Sequence, residues 1–358
     1  MAGFSKDIDP KMMPQEPDSD GMVWYDASEP PFRLYGLYSS NPYLRLPESV
    51  AEATNSGVKR LNFHTAGGRV RFSTDSARIG VRVKMPYVTK FCHMALTGTS
   101  SFDVYSDVGD GIGSKFAFVF KPSPSITDGF TLTQAIPACC RSGHYTVNFP
   151  LYNAVDRLEI GIDAGSTLGP GLEYLPIAPA VFYGSSITQG ACATRPGLAY
   201  QSIISRRLNI DHINLGFSGS GRAEPAICEY MAGLDMSMFI SDYDHNAPDA
   251  AYLRDSHYRL YSTIREKKPD LPIILVSKPD YYLNEKTGAD RREVIEDTFR
   301  AARAAGDKNV WYIDGDGLCR GADEDSCTAD GSHPTDLGFM KMADSIGRIM
   351  RRVLRGLL

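Results

Sequence analysis

Two stretches of the chain hold side chains that could do covalent chemistry together. The first is residues 181–190, VFYGSSITQG, where two serines follow a β-rich run that stops at Gly184. An apolar strand ending in Gly-Ser-Ser sets a side chain at the carboxyl end of a sheet, where open α/β folds bind ligands. A serine hydroxyl is a poor nucleophile until a base takes its proton. The second stretch, residues 328–336, supplies that base. It reads TADGSHPTD, with Asp330 and His333 three residues apart just before the last helical pattern. That separation across one turn brings both side chains to one side. The carboxylate can then hold the imidazole in one tautomer and stabilise it once charged. Taken alone, the first stretch reads first as an ordinary serine turn; the pair at the far end of the same domain is what argues for nucleophilic catalysis. Thr188 stands where the G-x-S-x-G elbow of α/β-hydrolases needs glycine, which disfavours that fold.

These side chains need a frame, and from Ala180 onward the pattern alternates strand with helix. Strands are predicted at 180–183, 212–215, 236–241, 272–277 and 309–313. Helices are predicted through Tyr200 and Leu208, at 225–231, 251–267 and 291–305, and finally at 335–354 with Leu337, Met340, Ala343, Ile346, Met350 and Val353 on one stripe. Arg351, Arg352 and Arg355 suit the negative end of that last helix dipole. Five strands with helical crossovers predict an α/β fold, a three-layer α/β/α sandwich on a parallel sheet. Ahead of it, from Trp24 to about Ile162, the dominant period is two, as in Ile79, Val81 and Val83, in Phe116, Phe118 and Phe120, in Tyr145, Val147 and Phe149, and in Leu158, Ile160 and Ile162. Turn-forming clusters such as 66–68 and 107–113 separate the runs, so this half reads as an all-β sandwich or jelly roll. The Gly- and Pro-rich stretch 163–179 makes a linker. The expected organisation is a polar arm at 1–21, a β-sandwich domain at 22–170 and a catalytic domain at 171–358.

Composition narrows the partners. The 358 residues are 42% hydrophobic and 23% charged, with a formal net charge of −5. A nucleic-acid footprint would be basic, and no run approaches the roughly 18 apolar residues of a membrane span, so neither partner is expected. The first residues, MAGFSKDIDPKMMPQEPDSDG, lack an apolar core, so no signal peptide is visible and a cytoplasmic location is expected. Seven cysteines, an odd number at irregular spacing, fit reduced thiols better than a disulfide framework.

In four blocks the chain resembles the SGNH, or GDSL-type, hydrolases from about Ala180 to Leu354. Gly184-Ser185-Ser186-Ile187-Thr188 is similar to the Gly-Asp-Ser block followed by Ile-Thr, which implies Ser186 as nucleophile with Ser185 in place of the usual Asp. Asn214-Leu215-Gly216-Phe217-Ser218-Gly219 resembles the second block and implies Gly219 in the oxyanion hole. Asp242-Tyr243-Asp244-His245-Asn246 departs from the usual Gly-x-Asn-Asp and implies Asn246 as the oxyanion asparagine. Asp330 and His333 match the Asp-x-x-His block. The front half resembles the β-sandwich that precedes this domain in two-domain members, with Ser101-Phe102-Asp103-Val104-Tyr105 in place of Gly-x-Asp-Leu-Tyr. The resemblance implies Ser186, Asp330 and His333 as catalytic residues, with Ser186, Gly219 and Asn246 forming the oxyanion hole. It also implies a carbohydrate acetylesterase, a small-molecule or oligosaccharide ester being the substrate; the acyl-chain limit and any homo-oligomer are left open. A lipase or thioesterase for longer chains, and a non-catalytic carbohydrate-binding protein, are the alternatives.

Other candidates take structural readings. His245 and His257 are expected at the surface or satisfied in the core, and Cys192 as buried packing. The Asp314–Asp316 and Asp323–Asp325 clusters lack the further ligands of a calcium loop and read as turns. Arg195-Pro196-Gly197 is either a rigid turn or a shaper of the site. Trp24, Tyr25 and Tyr35 are expected in the sandwich core. No histidine pair has zinc-helix spacing, so no metal and no cofactor are expected.

Overall fold

The computed structural model describes residues 16–109, 113–279, 285–321 and 323–357, so most of the expected N-terminal arm and the middle of the 107–113 turn lie outside the described residues. In the second half, strands Ala180–Gly184, His212–Gly216, Met238–Asp242, Ile273–Val276 and Val310–Ile313 form one parallel sheet in spatial order 2-1-3-4-5. All five expected strands are present. Both faces are covered, which is why strands such as Ala180–Gly184 and Ile273–Val276 read as apolar runs without alternation. Val181, Tyr183, Leu215, Phe239 and Leu275 point into one core, with helices Pro225–Gly233, Ala250–Lys267 and Glu285–Ala304. Ala180, Phe182, Ile240, Ile274 and Val276 point into the other, with helices Tyr200–Leu208 and Asp336–Leu357. The result is the expected three-layer α/β/α sandwich.

The stripe of the last helix is rotated from the expected one. Phe339, Met342, Ala343, Ile346, Met350 and Leu354 are buried, whereas Leu337 is exposed and Met340 and Val353 are only half-buried. Apolar residues stand on both flanks of this helix, and the pattern alone does not say which flank meets the sheet.

In the front half every strand pair is antiparallel. One sheet runs Met22–Asp26, Arg157–Asp163, Arg78–Lys84, Gly129–Ala135; the other runs Leu168–Pro170, Arg69–Thr74, His144–Asn148, Asp103–Asp107, Lys115–Val119. Val70, Phe72, Val81, Val147 and Ile160 fill the space between them. The linker is therefore partly sheet, since Leu168–Pro170 pairs with Arg69–Thr74. A register shift between Val104 and Tyr105 pairs Val104 with Phe118 but Tyr105 with Phe116. This bulge turns Phe116 outward while Phe118 stays in the core.

Among the helices inside the period-two region are Glu48–Thr54 and Ser56–Leu61. Their Ala51, Val58 and Leu61 join Ile227 and Met231 in the core of the α/β half. Front-half chain thus completes the layer that supports the sheet. Next to them, buried Arg45 lies over Phe217, its guanidinium 4.3 Å from the ring centroid, and donates to the Gly216 and Leu61 carbonyl oxygens.

The seam between the halves explains two motifs. Buried Asp103 accepts hydrogen bonds from Arg195 Nη1 at 3.0 Å and the Gly197 backbone N–H at 2.9 Å, and Arg195 also bonds Tyr105. The Arg195 guanidinium stacks 3.8 Å from the centroid of the outward-turned Phe116. The Asp-Val-Tyr signature and the Arg-Pro-Gly turn are two sides of one clasp, so the turn takes the structural reading.

Candidate active site

In a 2-1-3-4-5 sheet the chain reverses direction beside strand 1, and ligands bind outside the strand carboxyl ends at that switch point. Ser186 leaves strand 1 there, and Gly219 and Asn246 leave its two neighbours. Gly184 has to be glycine, because a Cβ would sit 2.2 Å from the Asp242 carbonyl oxygen on the adjacent strand. Ser185 then caps the short helix Ser186–Gln189, its side chain accepting from the Ile187 N–H at 3.2 Å. This capping is work that an Asp in the same position would also do.

Ser186 Oγ lies 2.9 Å from His333 Nε2, and His333 Nδ1 lies 2.8 Å from Asp330 Oδ2. The other Asp330 oxygen accepts from the His333 backbone N–H at 2.8 Å and from Ser332 at 3.0 Å, so one carboxylate fixes both the loop and the ring. Burial pushes the Asp330 carboxyl up, but these donors and the neighbouring imidazole outweigh it and hold the group at about 2. The loop is fastened to the serine loop by Asp336, which accepts from the Thr194 backbone at 2.9 Å and hydroxyl at 2.6 Å.

Gly219 has φ +67°, a conformation that favours glycine, and lines the cleft. The Asn246 side chain donates to the Phe217 carbonyl oxygen at 2.9 Å, which turns its amide along the same wall. Ser186, Gly219, Asn246 and His333 therefore line one open cleft of about 510 Å³. All five site residues expected from the sequence are together.

Sequence reasoning missed the rest of the wall. His245, Lys278, Arg291 and Ser332 also line the cleft. His245 is the correction to the expected surface or satisfied histidine: it is largely buried, and its Nε2 makes no hydrogen bond. Burial, with the charges of Lys278, His333 and Arg291, holds this imidazole neutral, well below the ordinary range. Arg291 clamps the loop behind it, donating to the carbonyl oxygens of Asp244 and Ala247. His257 is satisfied as expected, bonding Thr298 Oγ1 at 2.8 Å. Cys192 is buried, and burial together with Asp330 pushes its thiol up to about 12.

The front half reaches the site directly. Tyr152 donates to the Ser186 carbonyl oxygen at 3.2 Å. Buried His64 meets the Gln189 amide at 3.1 Å, and Gln189 Oε1 accepts from the Ser218 N–H at 3.0 Å, bracing the turn that carries Gly219. His93 brings its ring within 5.8 Å of the His333 ring, centroid to centroid. Only Gln189, a polar residue in a turn that had to be buried, carried a local signal; the contacts of His64, His93 and Tyr152 join residues far apart in sequence.

The fold is a three-layer α/β/α sandwich with an antiparallel β-sandwich front half, and the cleft opens at the carboxyl end of its parallel sheet. Residues 178–351 match the GDSL-like lipase/acylhydrolase family, and residues 22–168 match the N-terminal domain of SGNH-hydrolase-type esterases. The two matches together span most of the chain, the first over the α/β half and the second over the front half. No curated protein matches it. Among solved structures it is similar to a protein described as a GDSL-like lipase from Bacteroides ovatus ATCC 8483, at 28% identity and TM-score 0.80 over 93% of this chain and 98% of that one. A salicylyl-acyltransferase from a tetracycline biosynthetic pathway shares the fold at 22% identity and TM-score 0.72, covering 95% and 98% of the two chains. A family two carbohydrate esterase from Clostridium thermocellum, in complex with cellohexaose, shares it at 16% identity and TM-score 0.59, covering 91% and 100%.

Proposed function

We propose that the protein is a serine esterase that removes short acyl groups, acetyl above all, from carbohydrate. The observation that carries the reading is the hydrogen-bond relay from Ser186 through His333 to Asp330, at 2.9 and 2.8 Å, opening onto the cleft. Ser186 Oγ attacks the ester carbonyl while His333 Nε2 takes its proton. The backbone N–H groups of Ser186 and Gly219 and the Asn246 amide receive the oxyanion. His333 then gives the proton to the departing sugar hydroxyl, leaving an acyl-enzyme. Water, deprotonated by the same imidazole, releases the acid and restores Ser186.

The lining speaks for the short acyl group. Burying each methylene of a long tail is worth about 0.8 kcal/mol, so a lipase lines its tunnel with Leu, Ile and Phe. Here the described residues around the cleft are serines, glycines, histidines, Asn246, Lys278 and Arg291. Such donors suit the hydroxyls of a sugar. A panel of aryl esters from acetyl to octanoyl tests this: acetyl gives the highest kcat/KM, with a steep fall beyond propionyl, and acetylated oligosaccharides turn over faster than acetylated simple alcohols. A preference for octanoyl would replace the reading with a lipase or thioesterase. No hydrolysis of any ester would leave a carbohydrate-binding protein.

A further inference from the structure

The approach of the front half sets two side chains that hydrolysis does not use, His93 and Cys192, beside His333. A ring nitrogen of His93, the Cys192 Sγ and a ring nitrogen of His333 all lie within 4.8 Å of one another. Cys192 Sγ is also 3.5 Å from the His93 carbonyl oxygen, so the thiol faces the segment that carries this histidine. Two imidazoles and a thiol are the donor set chosen by Zn²⁺ and by softer divalent ions, and three protein ligands with a fourth position open is a regular zinc arrangement. His333 is prepared as a ligand. Asp330 holds its Nδ1 at 2.8 Å, as carboxylates hold zinc-bound histidines, and this leaves Nε2 to present a lone pair. His93 is exposed, so its ring can turn without disturbing a core. Ligand bonds of about 2.0–2.3 Å need donor separations of roughly 3.5 Å, a closure on the order of 1 Å from the observed limit.

We propose that His93, Cys192 and His333 bind Zn²⁺ or a softer divalent ion, and that occupancy stops hydrolysis by taking the Nε2 lone pair that His333 needs as a base. Binding forms one metal–sulfur and two metal–nitrogen bonds and releases the Cys192 thiol proton to water; nothing is oxidised or reduced. The inhibitory half rests on the role proposed for His333, whereas the binding half does not. Sequence spacing could not announce this site, because His93 and His333 stand 240 positions apart and belong to different halves.

The test is a Cd²⁺ titration of the full chain, reading the thiolate-to-cadmium ultraviolet band and aryl acetate hydrolysis in parallel. The band saturates at one equivalent while the rate falls, and a chelator reverses both. Cys192→Ala keeps the metal-free rate, loses the band and needs at least about tenfold more Cd²⁺ for half-inhibition; His93→Ala weakens inhibition by a similar factor. Cys92, whose Sγ lies 3.9 Å from His93 Nδ1, is the competing thiol, and Cys92→Ala changes neither readout. A band that survives Cys192→Ala but vanishes in Cys92→Ala overturns the assignment, as does half-inhibition unchanged in both Cys192→Ala and His93→Ala. If the metal-free protein hydrolyses no ester, the esterase reading fails while the band still reports binding at Cys192.

Discussion

Two loops at the carboxyl end of the sheet each carry an aspartate and a histidine, and they end in opposite states. In the first, Asp330 and His333 are three residues apart, partly exposed and joined at 2.8 Å. In the second, Asp244 and His245 are neighbours in sequence, both sequestered, and Asp244 Oδ1 stays 3.7 Å from His245 Nε2. Backbone N–H donors and an imidazole hold Asp330 at about 2. Burial pushes Asp244 up to about 6, only partly offset by the Lys278 backbone N–H and the charges of Arg291 and Lys278. Spacing makes the difference, because a turn of three residues folds the carboxylate back onto its own imidazole and adjacent residues cannot do this. The first loop aims its hydrogen-bonded pair at Ser186; in the second, His245 lines the cleft as wall with Asp244 behind it.

The largest effects should separate the relay from the wall. Ser186→Ala and His333→Ala each lower kcat on the order of 10⁶-fold, and the double variant is little worse, because the two act as a unit. Circular dichroism of all three should match the parent. Asp330→Asn follows at roughly 10⁴-fold, since the ring loses its tautomer while the attacking pair remains. Asp330 is ionised throughout the range above pH ~4, so an acid limb of kcat/KM between pH 5 and 8 is a single proton on the base. A rate flat across that range, with chemistry limiting, would refute a histidine base.

Asn246→Ala comes next, at about 10²–10³-fold in kcat with little change in KM, as expected for a donor that acts on the oxyanion. Asp244 and His245, in the same loop as Asn246, should respond least. His245→Gln changes kcat/KM by less than about tenfold, roughly 1.4 kcal/mol of barrier. Asp244→Asn reports on stability instead. A carboxyl raised from 3.8 to about 6 favours the folded state below pH 3.8, and that advantage is lost as pH rises through 6. Relative to the parent, the variant should therefore gain up to about 3 kcal/mol above pH 6 and converge with it below pH 4, as read by urea unfolding at pH 4 and 8. A gain that is the same at both pH values would show that the Asp244 charge is not the cause.

The strands of the α/β half were legible in the sequence because burial on both faces leaves unbroken apolar runs such as Val181-Phe182-Tyr183. Ser186, Asp330 and His333 were legible because they stand at a strand end and in one short turn, whereas Gly219 and Asn246 came only from the resemblance to the SGNH blocks. The seam was not. Arg45 gives no pattern that points to Phe217 and Gly216, and the helices Glu48–Thr54 and Ser56–Leu61 are too short to stand out against the surrounding alternation. Phe116 looked like a core residue until the bulge at Tyr105 turned it onto Arg195. His245 was misplaced because nothing local indicated that Arg291 would draw its loop inward. What stayed hidden depends on partners far away in the chain.

The central claim is that Ser186, and neither of the serines near it, is the nucleophile raised by the first loop. A fluorophosphonate probe followed by peptide mapping tests it most directly, since the probe forms a lasting bond only with a serine activated by a base. The account predicts one adduct per chain, on Ser186, abolished by His333→Ala and retained in His245→Gln. Labelling of Ser185 or Ser218, or an adduct on Ser186 that persists undiminished in His333→Ala, would contradict it.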